Sequence, residues 1–180
     1  MRGPFAMTVL VAMALSPALA WAQSGWVRNG KPVAGETNLG TDGPLAVMQV
    51  ETADARGLMA AWPKPSPAVQ MKGAADIRLG QITTFLIFKG CTPDLAGVCN
   101  VTADFEVVDP RGVKATQRDV PVRVGQKPAQ GDLLLLSTTG FDLTLGAGNA
   151  VGTYHIRATT TDHVANRSVR TEQALTLRAK

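Results

Sequence analysis

Only two cysteines, two histidines and one tyrosine occur among the 180 residues of this chain. Those shortages exclude more chemistry than any motif supports. A structural zinc site draws four Cys or His ligands, in closely spaced pairs. Cys91 and Cys99, with His155 and His163 far along the sequence, do not form that pattern. A redox dithiol is normally CxxC beside a βαβ unit, and neither is present here. Serine is scarce too. Beyond the first segment only Ser24, Ser66, Ser137 and Ser168 remain, none within GxSxG. The glycine run GAGN, Gly146 to Asn149, lies between two strand patterns rather than between strand and helix, so it is not a phosphate cradle. A clustered basic stripe is also missing. The net charge of +4 is spread along the chain, and nucleic-acid binders concentrate theirs. The densest stretch, Arg111 to Arg123, contains Asp119 and reads as a solvated strand edge.

What is present begins with an export pattern. MRGPFAMTVLVAMALSPALAWAQ has Arg2, an apolar stretch from Ala6 to Leu15, and the small-x-small site Ala20, Trp21, Ala22. The expectation is a signal peptide over residues 1–22. The apolar stretch is short of the roughly 20 residues that span a bilayer, and no later segment is more apolar. A periplasmic or secreted protein without membrane insertion is therefore expected. About 158 residues remain after cleavage, enough for one domain with a core of its own.

Residues 23–67 read as an N-terminal extension: an irregular arm rich in turn formers (GETNLGTDGP), a first strand over Leu45 to Glu51, and a short helix. Thr52 or Asp54 serves as its N-cap. Leu58, Met59 and Trp62 share one side, and Pro63 stops it. Trp62 reads as a packing anchor.

Residues 68–180 read as strands, because the apolar period falls to two. Val69 and Met71 alternate, then Ile77 and Leu79. In QITTFLIFK, Ile82, Leu86 and Phe88 face one way and Phe85 and Ile87 the other, the mark of a strand covered on both faces. Val101, Ala103, Phe105 and Val107 form one clean apolar face, opposite Thr102, Asp104 and Glu106. Asp109 to Gly112 is a turn with Pro second and Gly fourth. The next strand holds Pro121, which places it at a sheet edge. Short apolar runs follow at Leu133 to Leu136 and Phe141 to Leu145. Gly152 to Asp162 puts Tyr154, Ile156 and Ala158 inward and His155, Arg157 and Thr159 outward. In the last strand Val169, Thr171, Leu175 and Leu177 mark one side, with Gln173 among them.

Short strands separated by turns every ten residues or so indicate an all-β sandwich or barrel. The segment GTYHIRA, with the lone Tyr154, resembles strand F of immunoglobulin-like and fibronectin-III-like domains. That resemblance implies an immunoglobulin-like antiparallel β-sandwich in which the tyrosine hydroxyl folds back on the preceding corner. Ile156 stands where antibody domains carry a cysteine, so their inter-sheet disulfide is not expected. The order AAWPKPSP, FLIFKGC, CNVTADFEVVDPRG and GTYHIRATTTDHVAN resembles a group of small exported bacterial proteins without an assigned activity. This second resemblance implies a periplasmic location and the same fold, and no mechanism.

In an oxidising compartment Cys91 and Cys99 pair most simply with each other. The expectation is a stapled hairpin loop, with the strands on either side as antiparallel neighbours. Closing it is worth roughly 2.5 kcal/mol on the chain-entropy model. Asp104 and Glu106 lie about 7 Å apart along a strand and read as a solvated face. Arg157 or His155 is expected to form a cross-strand charge pair with them. No catalytic residue and no cofactor is indicated. The reading that results is a non-catalytic binding or accessory module of the cell envelope. It recognises a protein partner through an exposed edge strand or the loops at one end. The alternative is a periplasmic metal or small-ligand carrier using His155 and His163, for which Met48, Met59 and Met71, read as core, supply no third ligand.

Overall fold

A computed structural model describes residues 26–28, 31–33, 35–62, 76–77, 80–131 and 133–178. The expected signal peptide, Pro63 and the Val69/Met71 alternation lie outside the described residues. Twelve strands and one helix follow in chain order among the described residues: β1 (Val27–Arg28), β2 (Lys31–Pro32), β3 (Leu39–Asp42), β4 (Leu45–Thr52), α1 (Ala55–Ala61), β5 (Asp76–Ile77), β6 (Gly80–Lys89), β7 (Cys99–Val108), β8 (Lys114–Gln126), β9 (Leu135–Leu136), β10 (Phe141–Leu145), β11 (Gly152–Asp162) and β12 (Arg167–Leu177). Among these residues no helix is long and apolar enough to cross a membrane.

The strands form an immunoglobulin-like antiparallel β-sandwich. Sheet I runs β10-β6-β4-β3, with β9 also paired to β6; sheet II runs β5-β12-β11-β7-β8. Among the described residues a single parallel pairing, of β5 with β12, interrupts the antiparallel pattern. The strand expected over Leu45 to Glu51 is not a prelude to the sandwich. As β4 it sits inside sheet I, paired to β6 from Ala46↔Lys89 to Thr52↔Thr83. The arm before it supplies β3 at the edge of the same sheet.

Alternation explains the layers. Leu45, Val47, Ile82, Leu86 and Phe88 of sheet I meet Val101, Phe105, Tyr154, Ile156 and Leu175 of sheet II in one buried core. Phe105 and Phe141 stack across the core at 4.9 Å between ring centroids, a spacing at which aromatic pairs add to simple burial. Phe85 and Ile87 point the other way and are buried too. With Ala46 and Val50 they make a second apolar layer, covered by Trp26 and Leu134 and by the half-buried Leu58 and Trp62. The doubly apolar sequence of β6 thus has its physical cause. Trp62 is the packing anchor expected of it.

The helix begins as its sequence dictates, with Asp54, not Thr52, as its N-cap. Asp54 Oδ1 accepts from the Gly57 N–H at 2.8 Å, and Thr52 Oγ1 accepts from the Asp54 N–H at 3.0 Å. Tyr154 is buried, and its hydroxyl donates to the Ala150 carbonyl at 2.8 Å, closing the corner that leads into β11. Strand β8 is the edge of sheet II. Its pairing with β7 shifts register three times, once between Ala103 and Phe105. Nearby Asp119 takes a φ of 54°, and its N–H donates to Asp104 Oδ1 at 2.9 Å. Bulges and a proline disrupt this free edge as a template for another strand.

Two further expectations are overturned. Met59, read as core, is exposed on the helix. The strands flanking the two cysteines are not hairpin neighbours: β6 lies in sheet I and β7 in sheet II. The segment between them is an arch across the sandwich. An arch and a hairpin both connect two apolar strands through a turn, so alternation alone does not separate them.

Candidate functional site

Cys91 and Cys99 form a disulfide with 6.0 Å between Cα atoms. It therefore ties the foot of the arch at the point where the chain passes from one sheet to the other. Inside the arch, Asp94 organises the turn. Its Oδ1 accepts from the N–H groups of Ala96 at 2.8 Å and Val98 at 3.1 Å. Its own N–H donates to the Val98 carbonyl, and the Gly97 N–H donates to the Asp94 carbonyl, both at 2.9 Å. Gly97 takes a φ of 77°, a conformation that favours glycine. At the base, Gly90 has a φ of 79°, and a Cβ there would fall 1.8 Å from the Pro44 carbonyl oxygen.

The arch is locked to a second loop. Asp162, the last residue of β11, is fully buried. Its Oδ2 accepts from the Thr92 N–H at 2.7 Å, and its Oδ1 accepts from the Val164 N–H at 3.0 Å. The His163 N–H donates to the Asn100 carbonyl at 2.9 Å. The His163 ring nitrogen Nε2 lies 2.8 Å from Thr102 Oγ1. These contacts hold residues 91–99 and 163–166 as one platform at the end of the sandwich. On it Leu95 is completely exposed and Val164 partly so, at 109% and 37% of their reference areas.

The outer face of sheet II carries a row of paired charges. Arg157 pairs across strands with both predicted and unpredicted partners. Its Nη1 donates to Glu106 Oε1 at 2.9 Å and its Nε donates to Glu172 Oε2 at 2.8 Å. Lys114 Nζ extends the row, 3.1 Å from Glu106 Oε2, and His155 Nδ1 ends it, 2.8 Å from Glu172 Oε1. The pairing of Arg157 with Glu106 follows from the register, which sets them opposite each other. The hydrogen bonds from Lys114 and Arg157 hold the Glu106 carboxyl below the usual carboxylate range. The hydrogen bond from Arg157, aided by that from His155, does the same for Glu172. A concavity of about 850 Å³ lies on this face, lined by Asp104, Glu106, Arg118, Arg157, Arg170 and Glu172 among others. Its charged lining balances, three of each sign, and Arg157 is already engaged on both sides. A general acid needs a carboxyl held protonated near neutral pH; Glu106 and Glu172 are held ionised instead.

The two histidines are not brought together. They stand eight positions apart along and just beyond β11, roughly 26 Å at strand rise, each with a different partner. Among the described residues no group of three or more His, Cys, Asp or Glu side chains is placed to hold a metal ion.

A third polar cluster escaped the sequence reading. Gln49 and Glu51 of β4 point into the sandwich and are buried. Gln49 Nε2 donates to Glu51 Oε1 at 2.9 Å and to the Ile156 carbonyl at 3.0 Å, while the Thr171 hydroxyl donates to Gln49 Oε1 at 2.9 Å. Burial pushes the Glu51 carboxyl up to about 7, against the lowering effect of the Gln49 hydrogen bond. The signal was legible: in LAVMQVE, period two sets Gln49 and Glu51 on the face of Leu45 and Val47. The same period sets Asp162 on the inward face of Tyr154, Ile156 and Ala158; only its partner N–H groups had no signal, because they come from loops whose positions follow from the whole fold.

No protein-family model matches the chain, and no curated protein matches it. Among solved structures, the chain is similar to one titled as the crystal structure of a Niemann-Pick type C2 protein from Japanese carpenter ant. The two are 9% identical, the match covers 81% of this chain and 96% of that one, and the TM-score is 0.41.

Proposed function

We propose that the protein is a non-catalytic accessory module, exported to the periplasm, that binds a protein partner of the cell envelope through the disulfide end of its sandwich. The observation that carries this reading is Asp162. One buried carboxylate fastens the arch and the β11–β12 loop to each other, and the disulfide closes the arch beneath them. Loops fixed before encounter lose little freedom on binding, which is where preorganised surfaces gain affinity. The alternative surface, the β8 edge, is interrupted by register shifts and by Pro121, features that oppose strand addition. Export is supported by the signal-like first segment and by the disulfide, which persists in oxidising compartments.

The test is affinity capture from envelope extract with the full mature chain as bait. A protein retained by the wild type, and retained several-fold less by Asp162→Ala at a temperature where that variant is still folded, is the expected result. Retention of nothing above a bait-free control contradicts the reading.

A further inference from the structure

We infer that Leu95 is the anchor of this surface and that it inserts into an apolar pocket on the partner protein. The inference rests on the proposed binding role and names the contact that performs it.

A leucine side chain gains free energy on leaving water, so the fully exposed Leu95 has burial to offer to a complex that it does not gain within the fold. Singly exposed leucines are common on protein surfaces, most of them free to move. This one sits on a loop that is held. The disulfide fixes both feet of the arch, and Asp94 satisfies the backbone N–H groups of Ala96 and Val98, immediately beyond Leu95 and two residues further on. Asp162 holds the base at Thr92. A side chain held in place before encounter loses little freedom on binding, and a few residues of an interface carry most of its binding energy.

The chemistry of the tip selects the occupant. Residues 90–100 contain one charged side chain, Asp94, and that carboxylate is engaged within the loop. Residues 163–166 add only His163. A surface that docks on lipid combines a broad apolar face with lysines and arginines, and none lies in these two loops. A second copy of the chain is a poor receiver as well. The concavity on sheet II is lined by six charged side chains, which Leu95 would desolvate without pairing. A protein with an apolar pocket fits, with Val164 of the adjoining loop as a lesser contact.

The experiment places a photo-crosslinking amino acid at residue 95, and separately at residue 159 on the outer face of sheet II, in the full mature chain. Both forms are irradiated in envelope extract. Cosedimentation with phosphatidylcholine vesicles, with and without phosphatidylglycerol, runs in parallel. The expected result is one discrete heteromeric adduct from position 95 and none from position 159. Excess wild-type protein should suppress it, with Leu95→Asp at least tenfold less effective. Leu95→Asp should melt with the wild type, because the side chain touches nothing in the fold. An adduct from position 159 that Leu95→Asp suppresses as well as wild type overturns the anchor while leaving the binding role standing. A homodimeric adduct, or vesicle binding without any adduct, overturns the choice of partner. Absence of every adduct and of vesicle binding overturns both this inference and the role beneath it.

Discussion

The Thr92 N–H donates to Asp162 Oδ2 at 2.7 Å across 70 positions of sequence, joining the sheet-crossing arch to the end of β11. Because Asp162 is fully buried, removing its carboxylate strands the N–H groups of Thr92 and Val164. Each of these part-buried hydrogen bonds is worth about 0.5–1.5 kcal/mol, and more to a charged acceptor. Asp162→Ala should therefore lower stability by roughly 2–4 kcal/mol, read as a fall in denaturant midpoint with unchanged slope. Amide exchange should quicken in 92–98 and 163–166 first. Equal protection of these loops in variant and wild type contradicts the role given to Asp162.

Loss of the disulfide acts on the same end by another route. Cys91→Ala with Cys99→Ala releases the cross-link from the unfolded chain and should cost roughly 2.5 kcal/mol on the chain-entropy model. Since the bridge spans the crossing between sheets I and II, the double variant should keep its strand content by circular dichroism. A double variant as stable as the wild type shows that the bridge contributes nothing to folding.

Glu51 gives the protein a dependence on pH whose sign is opposite to that of ordinary acid denaturation. Its carboxyl titrates near 4.5 when unfolded and at about 7 when folded. Between those values the folded state holds more protons, so its contribution is fully present below about 4.5 and is lost as pH rises through 7. The span corresponds to roughly 3 kcal/mol. Glu106 and Glu172, held below the usual range by Lys114 and Arg157, act the other way and lose their contribution as pH falls. Glu51→Gln isolates the first effect. It should match the wild type near pH 4 and exceed it near pH 8 by up to roughly 3 kcal/mol, measured by urea unfolding across that range. Parallel stability curves for the two proteins contradict the assignment.

At the corner before β11, Tyr154→Phe removes one hydrogen bond and leaves the Ala150 carbonyl without it, for about 1 kcal/mol. Gly90→Ala is a harsher change in a less conspicuous place. The new Cβ would fall 1.8 Å from the Pro44 carbonyl oxygen, at a φ of 79°, so the turn beneath the arch must move. Its thermal midpoint should fall well below that of Tyr154→Phe; the reverse order contradicts the packing described for Gly90.

The elements themselves were legible because burial follows alternation. Ile82, Leu86 and Phe88 against Phe85 and Ile87 foretold a strand between two apolar layers, and Pro121 foretold an edge. Tyr154 foretold its corner, since the motif is local. The partners of charged residues were half legible: Glu106 beside Arg157 came from the expected strand neighbours, while Glu172, directly opposite Arg157 across the consecutive strands β11 and β12, went unread although that pairing is local. The arch was misread as a hairpin because the choice between one sheet and two is made by long-range packing. Leu95 drew no notice for a related reason. A leucine in a turn is unremarkable until the hydrogen bonds that hold it rigid are known.

Amide hydrogen exchange on the purified complex with the captured partner tests the central claim most directly. Protection on binding should concentrate at residues 92–98 and 163–166, with the exposed N–H groups of β8 unchanged. Protection confined to β8, or to the outer face of sheet II around Arg157 and Thr159, would contradict the placing of the binding surface at the disulfide end.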